Sequence, residues 1–136
     1  MRVLGWLLLG LFIGVAGFAG YVRLAPQDVE RWRLAGEMAE TGDRASAGGF
    51  RAVRDYAGSM DDVETVILRS ARTERLADWG HERLYVTRSA FWGFPDYTTV
   101  RLAGGRLDIY GRLRFGRSDL GVNRGRILGW LARLKL

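Results

Sequence analysis

The sequence predicts an α+β fold. An N-terminal transmembrane helix leads into a small domain, in which one helix precedes an antiparallel β-meander and one C-terminal helix packs on the sheet. Three observations predict it. Val3 to Val22 carries no charged residue. From Glu82 to Phe115 apolar and polar side chains alternate, the two-residue period of half-buried strands. After Gly111 that period gives way to helical spacing, across a joint crowded with arginine.

Length and composition bound the rest. Of 136 residues, the apolar run takes about 20, which leaves one soluble domain of roughly 85–110 residues. There is no cysteine, so disulfides, a thiolate nucleophile and a thiolate metal site are excluded. His81 is the single histidine, and no carboxylates are spaced for a metal, so neither metal nor cofactor is expected. The net charge of +6 is uneven. Residues 81–136 hold eleven cations against four acids, whereas residues 23–80 hold nine arginines against eleven acids. The basic half suits anionic lipid or an acidic partner, and beside a membrane span it does not suit nucleic acid.

Three segments follow: an anchor at 1–23, a connector at 24–49 and a small α+β domain at 50–136. At 1.5 Å per residue, Val3–Val22 measures about 30 Å, the thickness of a bilayer core. Arg2 and Arg23 bracket it, and Trp6 and Tyr21 stand near its ends. A cleaved signal peptide is the competing reading, with Gly17-Phe18-Ala19 as its small-x-small site, but the apolar run exceeds a signal core. Gly10 and Gly14 form GxxxG, a surface on which two such helices could pair as a homodimer.

In the connector, Pro26 holds Ala25 extended and Asp28–Trp32 suits a short interfacial turn. Gly36–Gly49 reads as a flexible loop. Phe50–Val53 forms a short strand. Asp61 and Asp62 open a helix whose apolar stripe is Val63, Val66, Ile67 and Ala71, ending near Arg72. Thr73–Ala77 is a weak strand and Asp78-Trp79-Gly80 a turn. Strands over 82–90, 97–103 and 106–115 make the meander, the last two joined by the hairpin signal Gly104-Gly105. In the last strand Leu107, Ile109, Leu113 and Phe115 share one face, and Arg106, Asp108, Tyr110, Arg112 and Arg114 the other, which gives the sheet an apolar and a basic face. Between strands, Phe91, Trp92 and Phe94 precede the ladder-breaking Pro95. They either plug the core or meet the membrane interface or a partner. The last helix starts near Ser118-Asp119, and its line of Gly121, Gly125 and Gly129 suits close approach to the sheet.

The candidate binding surface is the joint: Arg112, Arg114, Arg117, Ser118, Asp119, Asn123, Arg124 and Arg126. Arg112, Arg114 and Arg117, with the free N–H groups of the helix N-terminus, suit a phosphate, a carboxylate or a lipid headgroup. The structural alternative pairs Asp119 with an arginine and spends Asn123 on turn backbone. No catalytic residue is assigned. His81 has no serine nucleophile motif nearby, and Asp61-Asp62 suits a helix cap better than an acid–base pair.

The runs Tyr85-Val86-Thr87-Arg88-Ser89 and Gly93-Phe94-Pro95-Asp96-Tyr97 carry a resemblance. So does Arg112-x-Arg114-Phe115-Gly116-x-Ser118-Asp119-x-Gly121-x-Asn123-Arg124-x-Arg126. Over about residues 50–134 the chain resembles the bacterial "domain of unknown function 1499" family, with Leu113 where that family usually has a small residue. The resemblance implies a small α/β domain, often behind a membrane segment or export signal, and no established activity. It also implies a periplasmic side for the domain. The expectation is a single-pass inner-membrane protein of the bacterial envelope. Its expected role is non-enzymatic, in accessory or assembly contacts with a membrane-protein complex. The alternatives are an anionic-lipid or small-anion binding module and, last, a hydrolase.

Overall fold

The computed structural model describes residues 2–136. Helix α1 (Arg2–Leu24) is followed by a 3-10 turn (Glu30–Trp32) and six strands, β1 (Gly42–Ser46), β2 (Gly49–Asp55), β3 (Thr73–Asp78), β4 (Glu82–Arg88), β5 (Pro95–Ala103) and β6 (Arg106–Leu113). Helix α2 (Met60–Leu68) lies between β2 and β3, and α3 (Val122–Arg133) closes the chain. The strands make one antiparallel sheet in the order β1-β2-β6-β5-β4-β3. The meander β3–β6 is therefore as expected, and the β1–β2 hairpin extends it along β6.

Both helices cover one face. Phe50, Ala52, Tyr85, Val100, Leu107 and Ile109 from the sheet meet Val63 and Ile67 of α2 and Ile127, Trp130 and Leu131 of α3. Ser59 is the N-cap of α2: its hydroxyl accepts from the Asp62 N–H, and Asp62 accepts from the Ser59 N–H. Asp62 thus closes the cap from the third position, where the acidic pair was expected to open it. The helix stops at Leu68 rather than near Arg72, because Ser70–Arg72 turn the chain into β3.

Three other expectations are corrected. The 36–49 stretch is not a flexible loop. Gly42–Ser46 is an edge strand whose register with β2 runs from Gly42↔Val53 to Ser46↔Gly49. Pro95 does not interrupt the ladder but opens β5, the position in a strand that tolerates a missing N–H. The glycine ridge of the last helix does not face the sheet either. Gly121, Gly125 and Gly129 have open space where a Cβ would stand. The close approach is made by the strand: a Cβ on Gly111 would lie 2.8 Å from Asn123 Oδ1 and 3.1 Å from Ile127 Cδ1. Gly111 is the notch into which α3 settles.

The second face of the sheet is not an open basic surface. Residues 26–39 cross it as a strap, and its arginines bind the strap's carbonyls. Arg114 Nη2 donates to Pro26 O at 2.8 Å, and Arg112 Nη2 donates to Trp32 O. Arg101 donates to Gly36 O at 3.0 Å and also to Leu34 O, and Arg106 Nη1 donates to Ala39 O at 3.3 Å. Trp32 stacks on Tyr97 with ring centroids 4.2 Å apart, over Leu84 and Val86. Two ion pairs lie on this face, Arg101–Glu82 at 2.9 Å and Arg51–Asp108 at 2.6 Å, with Glu82 and Asp108 both buried. A strap without ladder bonds needs other donors for its carbonyls, and this face supplies guanidinium groups.

Candidate functional site

The structure divides the joint between the two sides of the sheet. Arg112 and Arg114 turn to the strap. Burial pushes the Arg112 guanidinium below its ordinary value, and it lies over the rings of Tyr110 and Trp32. Arg114 also donates to the Tyr97 hydroxyl at 3.1 Å. Asn123 and Arg126 lie on the helix side. Asn123 is fully buried behind Gly111 and accepts from Arg126 Nη1 at 2.9 Å, while Arg126 Nη2 reaches Asp96 at 3.2 Å. Arg112 and Arg114 therefore do not converge with the start of α3.

Asp119 holds that helix start without an arginine. Its carboxylate accepts from Gly121 N at 3.1 Å and from Asn123 N at 3.0 Å. Burial pushes the group up, but these backbone donors outweigh it and hold the carboxyl below the ordinary aspartate value of 3.8. Ser118 Oγ accepts from Leu120 N at 3.2 Å. Arg124 lies over the Phe50 ring, 5.9 Å from its centroid, and Arg117 is exposed. Six of the eight residues (Arg112, Arg114, Ser118, Asp119, Asn123 and Arg126) are thus engaged in holding the fold.

A different set of cations gathers nearby. The turn after α2, the end of β4 and the loop 89–94 border an open cleft of about 490 Å³. Its walls include Arg23, Arg72, Arg88, Thr73, Glu74 and Ser89. A second cleft, of about 500 Å³, shares Arg72, Arg88 and Ser89 and runs on to Phe94, Phe115, Ser118, Asp119, Val122 and Arg126. The joint borders this second cleft, so it contributes to the site from one side only.

The three arginines common to this corner are not neutralised. Among the described residues, none of Arg23, Arg72 and Arg88 lies within 4.0 Å of a carboxylate oxygen. Each makes limited backbone contacts: Arg23 Nη2 to Phe91 O at 3.1 Å, Arg72 Nε to Arg88 O at 3.0 Å, and Arg88 Nη1 to Gly93 O at 3.3 Å. A guanidinium has five N–H donors in a planar fork, so most remain available to an anion. Arg72 also holds a left-handed backbone with φ +55. Glycine would sit there with less strain. Asp96 stands opposite. Burial raises its carboxyl above the ordinary range, against the pull of Arg126.

The arginines were missed as a set because Arg23, Arg72 and Arg88 lie far apart along the chain. The docking of α1, the turn at Arg72 and the β4–β5 hairpin bring them together. Among the described residues no three histidine or carboxylate side chains are grouped to hold a metal.

Fold and site together define a class: a small α+β domain behind an apolar helix, with a basic cleft at the foot of that helix. The chain belongs to the family described as "Protein of unknown function (DUF1499)", which it matches over residues 35–134. The match takes in the end of the strap and β1, so the family's domain begins before residue 50. No curated protein matches the chain. Helix α1 lies outside the matched span. It is the one helix among the described residues long and apolar enough to cross a membrane, a test that a signal sequence also passes.

Proposed function

We propose that this is a non-catalytic, membrane-anchored module that holds an anionic lipid headgroup in the cleft of Arg23, Arg72 and Arg88. One observation carries the reading: three arginines without carboxylate partners line one cleft, and Arg23 directly follows the apolar run. A guanidinium at the end of a span stands at headgroup depth, where bidentate contact with a phosphate needs little rearrangement. In this reading α1 is retained as a single-pass anchor of the bacterial inner membrane. The domain lies on the periplasmic side, in keeping with the exported members that the family resemblance implies.

The test uses the full chain in nanodiscs of equal phosphatidylglycerol and phosphatidylcholine, released into native mass spectrometry. The wild type is expected to retain phosphatidylglycerol selectively. Arg72→Gln with Arg88→Gln is expected to lose that selectivity. Equal retention by the two proteins overturns the headgroup site.

A second reading is an accessory or assembly role with a membrane-protein partner, and one observation favours it. Leu120 is 91% exposed and holds φ +51, a conformation that costs a leucine roughly 1–2 kcal/mol. An exposed, strained leucine beside the exposed Val122, Arg117 and Arg124 suits a contact outside the chain.

A further inference from the structure

Helix α1 does not stand clear of the domain. Val22 and Ala25 are buried, Phe18 meets Phe94 edge-on at 6.1 Å, and Tyr21 meets Phe115 at 6.3 Å. The last turns of the apolar run are therefore spent on docking. Its free part, Val3–Gly17, is exposed throughout and about 22 Å long at 1.5 Å per residue. A hydrocarbon core is about 30 Å thick, which leaves roughly 8 Å unspanned.

The loop 89–94 stands beside these docked turns and the adjoining part of the free stretch. Trp92 and Phe94 lie alongside α1, and with Gly10, Leu11, Gly14, Val15 and Phe18 they line an apolar groove of about 570 Å³. Phe91, at the loop tip, is 78% exposed. Part of the loop's backbone finds its hydrogen bonds within the chain. Phe91 O accepts from Arg23, Gly93 O from Arg88, and Phe94 O from Ser89 N at 2.9 Å, while Phe94 N donates to Ser89 Oγ at 3.0 Å. Unsatisfied carbonyls are what keep ordinary loops out of hydrocarbon.

We infer that Phe91, Trp92 and Phe94 form a second membrane-contacting element that sinks this end of the domain into the bilayer beside α1, with lipid acyl chains filling the groove along Gly10 and Gly14. The inference rests on α1 being a membrane anchor, but not on the anion site. A depth of about 8 Å matches that of interfacial elements, which bury their apolar face roughly 5–10 Å. A loop that enters the bilayer also fixes how the domain faces the membrane, which a single helix alone does not.

The cysteine-free chain suits site-directed spin labelling. Single variants Ala90→Cys, Phe91→Cys, Leu11→Cys and His81→Cys of the full chain are labelled in phosphatidylcholine nanodiscs. The readout is accessibility to oxygen against a water-soluble nickel complex. Labels at 90 and 91 are expected to read as membrane-embedded, near the label at 11, and the label at 81 as aqueous. Because Ala90→Cys keeps all three aromatics, a disturbed loop in Phe91→Cys does not decide the result. Aqueous labels at 90 and 91 with an embedded label at 11 overturn the wedge and leave the anchor standing. An aqueous label at 11 as well removes both. Dipolar coupling between Leu11→Cys labels on two copies in one disc gives the groove to a second helix and overturns its filling by lipid.

Discussion

Asp119 shows how a residue that reads as a ligand can be structural. A carboxylate beside three arginines invites an ion pair, yet its oxygens face the N–H groups of Gly121 and Asn123. Those donors are free because a helix start has no preceding carbonyls to bond them. Asp119→Ala is expected to lower stability by about 1 kcal/mol, the usual cost of a lost cap. The loss depends on pH in a definite direction. The folded-state carboxyl titrates below the ordinary aspartate value of 3.8, so its contribution is complete above that value and disappears as pH falls through the folded one. Thermal unfolding of wild type and Asp119→Ala should differ at neutral pH and converge in strong acid. A gap that persists unchanged in acid would show that the side chain acts through packing instead.

The elements that alternate cleanly were legible, and those held by distant side chains were not. The strand β6 announces itself because Leu107 and Ile109 take one face and Asp108 and Tyr110 the other. The strap has no such period. Its carbonyls at Pro26, Trp32, Leu34, Gly36 and Ala39 find donors far along the chain, in arginines of β5 and β6 and just beyond, which no local pattern reveals. The sequence therefore showed a basic face and a loose connector where the structure has one sealed layer. The seal can be tested at Arg101. Arg101→Met leaves the buried Glu82 carboxylate without its cation, and breaking a buried pair in this way costs about 3–5 kcal/mol. Adding Glu82→Gln removes the orphaned charge and keeps an acceptor for Leu34 N, which now donates to Glu82 at 2.9 Å. Chemical denaturation should show a large loss in the single variant and a partial recovery in the double. A double variant no better than the single would mean that the pair itself, not the stranded charge, holds the strap.

At the scale of the whole molecule, the site depends on how α1 meets the domain, and here the candidate residues were hardest to foresee. Arg23 ends one element, Arg72 sits in a turn and Arg88 ends a strand, so only the assembled corner makes them a set. The hinge of that corner is Gly93. It holds φ +72, and a Cβ there would lie 3.0 Å from Arg23 Nε and 3.3 Å from its Cγ. A β-branched residue is a strong outlier in that backbone region, so Gly93→Val should force the 89–94 loop to rearrange and release Arg23. Neither core cluster includes Gly93, so the sheet domain should keep its fold by circular dichroism. The change belongs to the joint between helix and domain. With spin labels at Leu11→Cys and His81→Cys in one chain, the wild type should give a narrow distance distribution and Gly93→Val a broad one. The same variant should weaken retention of anionic lipid, because Arg23 leaves the cleft wall. A distribution that stays narrow would show that α1 is held by Phe18, Tyr21 and Val22 alone, and the cleft would then be rigid without the loop's help.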